Sequence, residues 1–128
     1  QWGTKDQKEQ YLVPLARGDK IGCGAFTEPG AGSDFAHIQA TGKKDGSDYI
    51  LNGEKMWISL ATVADFAVVT VRTDQKIDPG YRGLSTFLVD LESLGVTRGD
   101  IHGKLGVRAG STGWINFQDV RVPAENLL

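Results

Sequence analysis

The chain has a single cysteine and only two histidines among its 128 residues. One thiol cannot close an internal disulfide, and neither Cys23 nor the isolated His37 and His102 offers the ligand spacing of a metal site. Cys23 sits in an apolar, strand-like run and reads as a buried, inert thiol. Charge of one sign is lacking too. The formal net charge is -2, with Lys, Arg, Asp and Glu interspersed, so no basic stripe is there to track a nucleic acid. No apolar run approaches the roughly 20 residues that cross a bilayer, and the opening residues 1–9 are polar, without the apolar region of a signal peptide. A soluble, non-secreted domain is expected, long enough to bury a core of its own.

The absence of an initiating Met and the apolar ending Leu127-Leu128 raise the expectation of a domain excised from a longer protein. Residues 4–17 carry helix signals: Thr4 can cap, Lys5 to Gln10 are good helix formers, and Tyr11, Leu12 and Leu15 follow at helical spacing before Gly18, with Pro14 limiting the helix. After Gly18 the pattern changes to short apolar or alternating runs separated by turns, which is strand behaviour. Strands are expected over Lys20–Thr27, Phe35–Lys43, Asp48–Leu51, Glu54–Ser59, Asp65–Thr73, Leu84–Asp90, Val96–Arg98 and Gly113–Val122, with a further short one at Lys104–Val107. Lys44–Ser47 is read as a turn leading into Asp48–Leu51, Asn52-Gly53 as a hairpin turn, and Asp74–Gly83, with Pro79 and Gly80, as a loop. About eight short strands of this kind predict an all-β class, an antiparallel barrel or two orthogonal sheets, behind a short N-terminal helical segment.

One stretch cannot be core: Gly24, Ala25, Phe26, Thr27, Glu28, Pro29, Gly30, Ala31, Gly32, Ser33 and Asp34 follow one another where an apolar run stops. Pro29 fixes its own φ, while Gly30 and Gly32 let main chain approach another molecule closely. A rigid loop with exposed N–H groups, beside the hydroxyls of Thr27 and Ser33, suits a ligand rich in acceptors such as a phosphate or a flavin edge. Local chemistry alone also allows a plain turn between two strands. The strand end Met56-Trp57-Ile58-Ser59 sets a large aromatic beside a hydroxyl, a combination that packing alone can also produce.

Three runs, Thr27–Asp34, Asn52–Ser59, and Lys104–Arg108 followed by Phe117–Pro123 and Asn126-Leu127, resemble in order and separation the middle β-domain of the acyl-CoA dehydrogenase family. The resemblance covers nearly the whole chain. It implies that residues 1–19 end an N-terminal helical domain, that residues 20–128 are the middle domain of a larger α+β+α flavoenzyme, and that a C-terminal four-helix domain follows. The implied activity is FAD-dependent α,β-dehydrogenation of an acyl-CoA thioester. A base takes the α-proton, and the β-hydrogen leaves as hydride to flavin N5. The implied electron acceptor is an electron-transferring flavoprotein, the implied assembly a homodimer or homotetramer, and the implied location the bacterial or archaeal cytoplasm or the mitochondrial matrix.

The same resemblance assigns the cofactor contacts. Residues Gly24 to Ser33 and Trp57, Ile58 and Ser59 would bind FAD. Main chain around Phe26, Thr27 and Gly32 would meet the isoalloxazine and phosphates, with the Thr27 hydroxyl toward the pyrimidine edge. Ser33 would serve both the cofactor phosphates and the substrate pantetheine, Trp57 would lie against the flavin, and Ser59 would donate at N5. A donor there stabilises charge as the ring is reduced, and an aromatic wall keeps water from screening it. Glu28 and Asp34 are expected to shape the loop rather than act as base, because in the family the base is a Glu carried elsewhere, usually in the C-terminal domain. No catalytic residue is therefore expected within the chain. The adenine half of FAD is expected to be held by another domain of a neighbouring subunit.

Other polar residues read as ordinary: His37 as surface, and Lys76 and Arg82 as solvated, with contact to the CoA 3′-phosphate as a second reading. Arg108 could tie residues 109–113 to a neighbouring domain. The chain departs from the family pattern at Leu60-Ala61, where many members have Asn and a small residue. It also has Gly110 where Ser is frequent, and Ser59 where Thr is commoner. Competing readings are a flavin monooxygenase or acyl-CoA oxidase of the same fold, and a non-catalytic β-sandwich that binds a partner through its sheet.

Overall fold

The computed structural model describes residues 2–77 and 80–128, so Pro79 of the expected loop lies outside the described residues. Seven strands form one curled sheet: β1 (Gly22–Ala25), β2 (Thr41–Asp45), β3 (Asp48–Ser59), β4 (Phe66–Arg72), β5 (Leu84–Asp90), β6 (Val96–Asp100) and β7 (Thr112–Pro123). The order is β1-β4-β2-β3-β7-β6, with β5 beside β4. The all-β class expected from the pattern holds. Two pairings depart from a purely antiparallel design, since β1 runs parallel to β4 from Gly22 to Ala25 and β2 meets β4 in parallel at the single pair Thr41 and Arg72.

The spine is the antiparallel pair β3 and β7, each of 12 residues. Asn52-Gly53 makes no hairpin turn, contrary to expectation. The hairpin turn falls at residues 46–47, within the turn expected over Lys44–Ser47, where Asp45 pairs with Asp48 and Gly46 has φ 61°. Asn52 and Gly53 lie inside β3, where Asn52 faces the two residues Gln118 and Asp119 of a bulge on β7, and the Asn52 amide joins Asp119 through Nδ2 to Oδ1 at 3.0 Å and through its Oδ1 to the Asp119 N–H at 2.9 Å. The permissive backbone that makes Asn-Gly a turn signal here lets β3 pass close to a neighbouring segment. Gly53 has φ 139°, and a Cβ on it would lie 2.6 Å from the Ala40 Cα.

Two more expected strands change. The run Phe35–Lys43 begins as strand only at Thr41, because Asp34 caps a 3-10 turn over Phe35–His37, its Oδ1 accepting from the Ala36 N–H at 3.2 Å. Lys104–Val107 is not a strand; Lys104 Nζ donates to the Gly110 carbonyl and Arg108 Nε to the Lys104 carbonyl, which closes a compact loop. Nor does Pro14 end the first helix. The turn before it, Lys8–Leu12, widens to π geometry, and the helix runs on through Val13–Arg17 to Gly18 at φ 79°. Pro14 has no N–H to give, and a wider turn absorbs that loss.

The core lies inside the curl. Leu51, Phe87, Ile115, Val69, Val71, Val89 and Val120 are fully buried, and β4 is buried on both faces along most of its length, as its run of β-branched residues predicts. The N-terminal helix, residues 5–17, docks on the outside through Tyr11, whose ring lies 5.0 Å from that of Phe66. Gln7 fixes the end of the chain there by donating to the carbonyls of Glu125 and Leu127. No helix among the described residues is long and apolar enough to cross a membrane.

Candidate functional site

Residues 26–34 leave β1 as a tight turn. The Glu28 N–H donates to the Ala31 carbonyl at 2.9 Å and the Ala31 N–H returns to the Glu28 carbonyl at 3.2 Å, with Pro29 and Gly30 at the corner. A fixed proline φ at the corner suits such a turn. The loop is stitched to β3 by the Met56 N–H, which donates to the Thr27 carbonyl at 2.9 Å. The next residue on β3 is Trp57. The first and second motifs of the sequence therefore meet at one rim of the sheet, and the third joins them through β7 and through the Leu60 N–H, which donates to the Ser111 carbonyl at 3.0 Å.

Beneath the loop lies a buried ion pair. Lys55 Nζ is 2.7 Å from Glu28 Oε1, with both side chains out of solvent. The remaining ammonium protons go to the carbonyls of Thr70 at 2.6 Å and Phe26 at 3.1 Å. Topology explains the demand. Pairing of β1 to β4 stops at Ala25 and Val69, and β2 touches β4 only at Arg72, so the Thr70 carbonyl falls in the split between them. Glu28 completes its own set by accepting from the Gln39 N–H at 2.7 Å and the Ala40 N–H at 3.0 Å. Burial pushes the Lys55 ammonium below its ordinary value, and the Glu28 carboxylate acts against that. Removing one partner of such a pair costs about 3–5 kcal/mol, whereas replacing both with apolar groups is often nearly neutral.

At the strand end the backbone is unusual. Trp57 has φ 64° and Leu60 φ 66°, and the register against β7 slips between Met56 and Ile58. Positive φ at bulky residues costs free energy and gathers at functional sites. Here it turns Trp57 outward, 57% exposed, while Ile58 returns to the core. Ser59 is exposed beyond it.

Among the described residues, the N–H groups of Thr27, Gly30, Gly32 and Ser33, the hydroxyls of Thr27, Ser33 and Ser59, and the Trp57 indole N–H make no hydrogen bond within the chain. A set made mostly of donors, with an exposed aromatic face alongside, fits an acceptor-rich ring with phosphates. The side chains of Ala25, Glu28, Ala31 and Ile58 are buried, which leaves their main chain as what they can present to a ligand. Asp34 is spent on its cap and on His37, whose Nδ1 is 2.7 Å from Asp34 Oδ2. His37, Lys76, Arg82 and His102 are exposed, and no cluster of metal ligands occurs among the described residues. Arg108 braces its own loop.

Two residues that the sequence reading passed over organise the site. Lys55 is the first; its signal was a lysine on a strand whose flanking residues read as sheet, on the side opposite Met56. Arg72 is the second, donating to the carbonyls of Ile38, Gly80 and Ala36 and clamping the segment after Ser33 to the turn at Gly80–Gly83.

The fold and this rim define a mostly β domain that gathers a rigid, donor-rich loop and an exposed aromatic strand end at one place. The chain belongs to the acyl-CoA dehydrogenase family and is its middle domain, the family description "Acyl-CoA dehydrogenase, middle domain" matching residues 23–120. It is 43% identical over 127 residues to the mitochondrial short-chain specific acyl-CoA dehydrogenase of Sus scrofa, covering 99% of this chain and 30% of that protein. The crystal structure of an acyl-CoA dehydrogenase from Geobacillus kaustophilus matches with a TM-score of 0.95 at 44% identity, over 99% of this chain and 33% of that one. A glutaryl-CoA dehydrogenase from Mycobacterium smegmatis, solved in complex with FADH2, matches with a TM-score of 0.90 at 41% identity, over 99% of this chain and 31% of that one. The chain thus spans about a third of the length of these relatives.

Proposed function

We propose that this domain forms the flavin-facing wall of an FAD-dependent acyl-CoA dehydrogenase, with residues 1–19 belonging to a preceding helical domain and residues 20–128 forming the β-domain. The observation that carries the reading is the row of unpaired donors from Thr27 to Ser33 beside Trp57 and Ser59. Thr27 and Gly32 would hold the ring edge and phosphates, and Ser33 would serve both cofactor and pantetheine. Trp57 would cover the ring and exclude water, and Ser59 would donate toward N5. Bound FAD would supply the two-electron acceptor that takes the β-hydrogen as hydride. Preorganised donors in a dry site cost no reorganisation when charge develops. Glu28 and Asp34 are both occupied by backbone or by their partners, which supports a base carried outside the chain. An electron-transferring flavoprotein as oxidant and a homo-oligomeric assembly belong to the same proposal.

Full-length protein is expected to purify with, or regain, the visible absorbance of FAD, and to bleach when a short acyl-CoA is added without oxygen. Failure to take up FAD overturns the reading, and rapid reoxidation by air after bleaching would reassign it as an oxidase. Trp57→Phe is expected to alter the flavin spectrum; a change in stability alone would favour a non-catalytic module.

A further inference from the structure

We propose that Lys55 and Glu28 are a positioning pair for this flavin site. The Lys55 ammonium, held on the Phe26 carbonyl, fixes and polarises the Phe26–Thr27 peptide, so that the Thr27 N–H is presented to the ligand as a strengthened donor. The inference rests on the reading that this loop faces the isoalloxazine.

The oxygen and the N–H of one peptide are electronically coupled, so a cation on the oxygen makes the N–H a better donor, and the effect grows where water is excluded. Here the cation is fully buried and the Phe26 oxygen is 3.1 Å from it. The ammonium cannot swing away, because its other two protons are taken by Thr70 and Glu28. Glu28 is held in turn by the N–H groups of Gln39 and Ala40. On the far side of Thr27, its carbonyl is pinned by the Met56 N–H. Both flanking peptide oxygens are thereby fixed, and among the described residues the Thr27 N–H and hydroxyl are what is left free at that position. A lysine whose only task was to fill the split in the sheet would need the Thr70 carbonyl and a counter-charge. The third bond, to Phe26, is the one that reaches the ligand side.

The test uses full-length protein loaded with FAD and four variants: Lys55→Met, Glu28→Gln, the double Glu28→Gln/Lys55→Met, and Val89→Ala as a core control away from the loop. FAD affinity and the position of the flavin visible band at saturation are read at a temperature where circular dichroism shows each variant fully folded. Lys55→Met and the double are expected to weaken FAD binding about tenfold and to displace the band. Glu28→Gln is expected to move both in the same direction by less, and Val89→Ala to lower the melting temperature and move neither. A folded double variant with wild-type affinity and an unshifted band overturns the proposal and makes the pair purely structural. Should Lys55→Met fail to fold, the double variant and Glu28→Gln decide. Wild-type protein that takes up no FAD fails the functional reading itself, whereas wild-type behaviour of the folded variants sinks only the pair.

Discussion

Cys23 shows what burial does to one reactive atom. It lies in β1 with 8% of its surface exposed, and loss of solvent raises its thiol from 9.0 to about 11, with Arg98 acting weakly the other way. The nucleophile is the thiolate. At pH 8 that rise leaves roughly a hundredth of the thiolate that the unfolded chain offers. Alkylation mapped to the Cys23 peptide is therefore expected to be about 100-fold slower in native protein than in denaturant. Comparable rates would contradict the burial. The sign for stability follows from the same shift. The unfolded thiol ionises first, so the contribution is fully present below pH 9 and is lost as pH rises from 9 toward 11, to a limit of roughly 2–3 kcal/mol. Cys23→Ala lacks this loss, and the difference between the two stability curves across that window measures it. Lys55 is lowered by burial and titrates in the opposite sense, which is why the comparison with Cys23→Ala is needed.

At the scale of an element, β3 joins the three motifs. Its Asn52 faces a bulge of β7 at Gln118 and Asp119, and its own extra residue, Trp57, turns an aromatic out where β1 delivers the loop. Gly53→Ala is expected to destabilise the protein by more than about 3 kcal/mol, since the new methyl meets the Ala40 main chain at 2.6 Å and φ is 139°. Chemical denaturation of full-length protein tests this, and a loss below about 1 kcal/mol would show that the two strands part easily. Gly46, with nothing near its Cβ direction, lacks the steric penalty, though its φ of 61° still favours glycine. Asn-Gly and Asp-Gly both permit positive φ, and both occur in this segment, but only pairing across the sheet makes Asp45-Gly46 the hairpin and leaves Asn52-Gly53 inside β3.

At the scale of the whole molecule, the rim carrying Thr27, Trp57 and Ser59 is open, and the chain is about a third as long as the relatives it matches. One wall holds a dinucleotide poorly, because most of the ligand surface stays wet. Residues 1–128 alone are therefore expected to bind FAD more weakly than about 1 µM, with full affinity only in the complete protein. Calorimetry on the two forms decides, and micromolar binding or tighter by the isolated domain would contradict the reading. The all-β class and the buried β4 are legible in the residues alone, because hydrophobic period and β-branched runs are local signals, and the Thr27–Asp34 and Asn52–Ser59 runs nominate a candidate site in the same local way. Three features exist only in the folded chain: β1 runs parallel to β4, the sheet splits at Thr70, and Lys55 and Glu28, 27 positions apart, fill the split beneath Thr27. The reason is that a buried charge is tolerated only where its partners converge, and that convergence exists only once distant strands have paired.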